Sequence, residues 1–113
     1  MSYDVTFEID TGGVEPVEVT TRNYTSNVSR MWAHAFGPDD PTNLGLTIDA
    51  NPSAEQLRPI VAAAVRRMTV NRPFYAEMSP ENGWGDVDGA IEFLAWIVAT
   101  CDKHPRCTVR ARR

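Results

Sequence analysis

Apolar and polar residues alternate strictly from residue 3 to residue 10. Tyr3, Val5, Phe7 and Ile9 fall on one side, and Asp4, Thr6, Glu8 and Asp10 on the other. A period of two is that of a strand with one face buried. Gly12-Gly13 then marks a turn, and residues 14–21 resume the alternation with Val17 and Val19 in phase, so this part of the chain reads as a β-hairpin. Pro16 has no N–H to give to a ladder, which makes the start of the second strand irregular or places it at an edge.

From Val28 the period becomes helical. Val28, Met31, Trp32, Ala35 and Phe36 share one face, preceded by the capping-type residues Thr25, Ser26 and Asn27 and closed by Gly37-Pro38. Residues 38–51 show no clear period and read as a loop with a brief extended piece at 44–48. Asn51-Pro52-Ser53 opens a second helix, with Ser53 and Gln56 spaced as a capping box and Leu57, Ile60, Val61, Ala64, Val65 and Met68 as its apolar stripe. Pro59 falls early enough in this helix to be tolerated or to kink its first turn.

Pro73, Pro80, Gly83 and Gly85 break up residues 71–85, leaving a turn of helix over 74–78 and then an irregular loop. Asp86 is the expected N-cap of the longest helix, residues 87–103, with a core stripe of Val87, Ala90, Ile91, Leu94, Val98 and Cys101. His104-Pro105 ends it. Cys107, Val109 and Ala111 then alternate with Thr108, Arg110 and Arg112 as a last strand.

The order β-β-α-α-α-β implies an α+β fold: a three- or four-stranded, mostly antiparallel sheet with the helices packed on one face. If the first and last strands are neighbours, outward Asp4, Glu8 and Asp10 meet outward Arg110 and Arg112 as pairs of opposite sign. That gives the C-terminal arginines a structural role.

At 113 residues, 42% of them hydrophobic and 23% charged, the chain fits one globular domain spanning 1–113. No apolar run approaches the roughly 18–20 residues of a membrane span, and the first residues alternate where a secretory signal would be continuously apolar. A soluble cytoplasmic protein is expected. The net charge of −4 argues against nucleic acid as a partner, because phosphate binding needs a basic face. Ten arginines against the single Lys103 point to a GC-rich source genome. Cys101 and Cys107 fall on a helix face and a strand face and read as small buried residues in a reducing compartment.

Catalytic signatures are sparse. The sequence has no Gly-rich phosphate loop followed by Lys, no His-Glu-x-x-His and no paired Cys-x-x-Cys. His34 falls on the outer side of its helix and His104 at a helix end, where an imidazole often meets terminal carbonyls. Asp86-Val87-Asp88-Gly89 resembles the start of a calcium loop, but Ile97 stands where the closing Glu belongs, so capping is the better account. Asp39-Asp40 reads as a pair of solvated turn residues. No metal, cofactor or catalytic residue is expected.

Two loops and one helix face remain. Arg22, Asn23, Thr25 and Asn27 gather at an expected helix N-terminus, whose N–H groups favour an anion. Trp84, between Gly83 and Gly85, is either an aromatic platform or a core plug. Should the two loops meet, these five residues form a cradle for a phosphate or a nucleotide; the alternative is capping plus a core-anchoring Trp. On the long helix, the back side carries Gly89, Phe93, Trp96 and Thr100, so the helix is apolar nearly all round. Either it is buried between other elements, or Phe93, Trp96 and Thr100 face a dimer mate or another protein.

The run Asn23-Tyr24-Thr25-Ser26-Asn27-Val28-Ser29 with Met31-Trp32, then Asn82-Gly83-Trp84-Gly85, Phe93-Leu94, Cys101 and His104-Pro105, resembles a group of small uncharacterised proteins from actinobacteria and their tailed phages. The resemblance covers most of the chain. It implies an origin and supplies no catalytic residues. The functional expectation is therefore a non-enzymatic accessory protein that binds another protein or itself, with a small-ligand binder as the alternative.

Overall fold

The computed structural model describes residues 2–37 and 52–112. Its order is β1 (Ser2–Ile9), β2 (Val17–Thr25), a 3-10 turn (Ser26–Val28), α1 (Ser29–Phe36), α2 (Ala54–Val70), α3 (Arg72–Ala76), α4 (Val87–Lys103) and β3 (Thr108–Arg112). This is the expected α+β order. The extended piece at 44–48 and the Asp39-Asp40 pair lie outside the described residues.

The sheet runs β2-β1-β3, with both neighbouring pairs antiparallel. The alternation along β1 does what its period implies: Tyr3, Val5 and Phe7 are buried against the helices, and Asp4, Thr6 and Glu8 occupy the opposite face. On that outer face Asp4 lies between Asn23 and Arg112, and Thr6 between Thr21 and Arg110. Arg110 makes an ion pair with Glu8, so acid does meet base across the first and last strands.

Strand β2 is longer than expected and ends at Thr25, not at residue 21. The run Thr20-Thr21-Arg22-Asn23-Tyr24-Thr25 looks like loop and cap, but its threonines and tyrosine favour extended backbone once β1 supplies a partner. Capping moves downstream, where the Thr25 hydroxyl accepts the Asn27 N–H at 3.3 Å to start the 3-10 turn. The ladder also slips between Phe7 and Glu8: Phe7 faces Thr20 while Glu8 faces Glu18, leaving Val19 as the extra residue of a bulge.

Both halves of the expected capping box on α2 are present, Gln56 N–H to Ser53 Oγ at 3.1 Å and Ser53 N–H to Gln56 Oε1 at 3.3 Å. Leu57, Val61, Ala64 and Met68 are buried, whereas Ile60 is turned to solvent. Helix α4 meets the sheet on one side and α2 on the other, where Arg58 reaches Asp102 at 2.6 Å. Its buried set is Val87, Ala90, Phe93, Leu94, Ile97, Thr100 and Cys101. Ile91 and Val98, expected in the core stripe, are only partly buried.

Candidate functional site

The two loops expected to form a cradle do meet, at a single seam. A Cβ added at Gly85 would fall 2.6 Å from Thr25 Cγ2 and 3.0 Å from Val28 Cγ1, and Gly85 has φ +98°, so only glycine suits this approach. Next to it the Asp86 N–H donates to the Tyr24 hydroxyl at 3.2 Å. Trp84 is 69% exposed, which makes it a projecting ring and not a core plug. The Asn82 side chain holds the loop by accepting the Trp84 N–H at 3.0 Å.

The extension of β2 divides the rest of the set. Arg22 is opposite Val5 and so shares the helix-facing side of the sheet. There its guanidinium lies 5.9 Å from the centre of the Trp96 ring and 3.6 Å from Glu92. Asn23, one residue on, is opposite Asp4 on the other face, in a shallow depression shared with Thr6, Thr21, Arg110 and Arg112. Adjacent strand residues point in opposite directions, so the Arg22 guanidinium goes to Trp96 and Glu92, although Arg22 also borders the depression that Asn23 lines. Thr25, Asn27 and Trp84 are the members left around the seam, and the Thr25 hydroxyl is already engaged in the turn.

The back side of α4 faces inward. Phe93 is fully buried, stacked against Trp32, Tyr24 and Trp96 with ring centres 5.5, 5.9 and 6.0 Å away. Trp96 is partly buried and meets Phe7 edge-on at 5.7 Å. Thr100 is buried as well, its hydroxyl donating to the Trp96 carbonyl at 2.7 Å. The sheet thus covers the surface expected to face a partner, and of the three residues only Trp96 keeps an exposed edge.

Other candidate chemistry is likewise occupied by structure. The Asp86 carboxylate caps α4 by accepting the Gly89 N–H at 2.7 Å, and Asp88 is held by Arg72 at 2.8 Å, which lowers its pKa. Burial pushes the Cys101 thiol up to about 11 and raises that of Cys107 too, the opposite of what an attacking thiolate needs. His34 lies edge-on to Phe74 at 5.7 Å, and no group of three or more metal-ligating side chains occurs among the described residues. Among the same residues, no helix is long and apolar enough to cross a membrane.

The feature that sequence reasoning missed is the far end of the hairpin. Ile9 and Val17 pair with each other beyond the last residue of β1 that β3 reaches, Glu8. They sit on the helix-facing side, yet Ile9, Val19, Val17 and Val14 are 37%, 39%, 51% and 103% exposed. These are half of the eight large hydrophobic residues exposed among the described residues, gathered within eleven positions of one hairpin. Beneath them a hollow of about 310 Å³ runs between Ile9 and Val19 and the α4–β3 turn, Lys103, His104, Pro105, Arg106 and Cys107. The outer edge of β2 carries no strand among the described residues. Comparison with protein-family models, curated proteins and solved structures finds no match to this chain.

Proposed function

We propose that the chain is a non-enzymatic accessory protein, of actinobacterial or phage origin and acting in the cytoplasm, that works by binding protein, either a host partner or itself, through the free end of the β1–β2 hairpin. The observation that carries the reading is the clustering of Ile9, Val14, Val17 and Val19 on an overhanging two-stranded ribbon beside an apolar hollow. A contiguous exposed apolar patch marks a contact surface more often than a scattered one, and an open strand edge offers backbone groups for pairing.

The reading is tested with a photo-crosslinking phenylalanine analogue placed at Val17 and, as a control, at Ile60 on the outside of α2, each irradiated in an actinobacterial lysate. A discrete adduct at Val17 that Ile60 does not form is expected. Identical or absent adducts at both sites overturn the proposal.

A second reading, a small anion or nucleotide held by Thr25, Asn27 and Trp84, is supported by the exposed Trp84 ring beside the seam. It requires saturable quenching of Trp84 fluorescence by inorganic phosphate or a nucleotide; linear quenching matching that of free tryptophan removes it.

A further inference from the structure

We infer that the occupant of the hairpin hollow is a second copy of this chain, the two copies exchanging hairpin loops about a two-fold axis. This identity rests on the proposed function, to which it adds the partner. Charge complementarity points to it. The loop and the start of β2, residues 10–18, carry Asp10, Glu15 and Glu18 and no basic residue. The opposite wall of the hollow carries Lys103, His104 and Arg106; of the acids beside it, Asp102 is already engaged by Arg58, and Glu55 meets the wall through its N–H, which donates to the Pro105 carbonyl at 3.3 Å. An acidic segment with an apolar residue at its centre therefore fits the hollow, and Val14, entirely exposed, is such a residue.

A chain cannot place its own loop there, because Ile9 and Val19 at the stem of that loop form one wall. A second copy can, and two-fold symmetry makes the contact twice, acid on base each time. The same arrangement covers Ile9 and Val17, which the helices leave open. Charge attraction across a small rim gives a contact that weakens as salt rises.

The test uses two variants of the whole chain, Lys103→Glu/Arg106→Glu and Glu15→Arg/Glu18→Arg, all four positions being exposed. In sedimentation velocity the unaltered chain forms dimers whose fraction rises with concentration and falls in high salt. Each variant alone places like charges together at both contacts and dimerises at least about tenfold more weakly. Mixed in equal amounts, the two variants form a heterodimer in which the reversed wall meets the reversed loop, acid on base again. An unaltered chain that stays monomeric at every concentration, variants that dimerise undiminished, or a mixture that fails to recover each overturn the inference. If the chain is monomeric while the Val17 crosslinker still captures a defined host protein, only the identity of the occupant falls; if neither contact is found, the proposed function falls with it.

Discussion

Gly89 provides a sharp test of how α4 meets β2. In a helix, Gly→Ala is worth up to about 1 kcal/mol in favour of alanine. Here a Cβ would lie 2.7 Å from Tyr24 Cζ and nearer still to the hydroxyl oxygen. Tyr24 cannot simply step aside: its ring is stacked 5.9 Å from Phe93, and its hydroxyl accepts the Asp86 N–H at 3.2 Å. Displacing it forfeits roughly 1 kcal/mol of stacking and roughly 1 kcal/mol of hydrogen bonding, on top of the strain of overpacking. After the helix gain, Gly89→Ala should be destabilised by about 2–4 kcal/mol, which lowers the melting temperature by roughly 4–8 °C for each kcal/mol. Urea unfolding of the single variants and of Tyr24→Phe/Gly89→Ala completes the cycle. Tyr24→Phe alone should cost about 1 kcal/mol through the unpaired Asp86 N–H, and distinctly less in the Gly89→Ala background, where that bond is already lost. A Gly89→Ala protein as stable as the parent, or strictly additive variants, would refute the close approach.

Trp96→Ala should lose about 2–4 kcal/mol of stability in urea, because the ring packs on Phe93 and Phe7; a loss under about 0.5 kcal/mol, the range of surface substitutions, would mean that the ring is not part of the core. Arg110→Ala leaves Glu8, whose side chain is only 15% exposed, without its cation, and should cost about 1–3 kcal/mol in urea unfolding at neutral pH; a loss under about 0.5 kcal/mol would mean that the pair is not a structural contact. Burial raises the Cys101 thiol from its ordinary value of 9.0, which it keeps when unfolded, to about 11 when folded. Its contribution is thus complete below the lower value and is lost as pH rises toward the higher, by at most about 2–3 kcal/mol. Cys101→Ala should flatten that part of the stability curve, and an unchanged slope would contradict the burial of the thiol.

The strands and main helices were legible because their signals are local. Alternation in β1, the Ser53–Gln56 box and the Asp86 cap each depend on a few neighbouring residues. What was not legible depended on where elements end in space. Helix α4 has apolar residues on nearly all sides, so its period could not choose between Ile91 and Phe93 as core, and that choice was made by the sheet on one flank and α2 on the other. Arg22 and Asn23 read as one polar cluster until β1 drew them into a strand and sent them to opposite faces. Ile9 and Val17 carry the signature of a buried face, but alternation reports which side a residue is on and not whether anything covers that side. The Val19 bulge, which depends on pairing with Phe7 and Glu8, left no mark in the sequence beyond Pro16 nearby.

The placing of β1 between β2 and β3 also sets a timetable. Its hairpin partner follows within a few residues, but Asp4 must wait for Arg112. At about 5–20 residues per second on a ribosome, that is a delay of roughly five to twenty seconds. Throughout it the second edge of β1, with Val5 and Phe7 on its apolar face, is open to any extended chain nearby. Closing so distant a pair comes late and slows the whole domain. During synthesis, therefore, the strand that ends up at the centre of the sheet is for a time one of its edges.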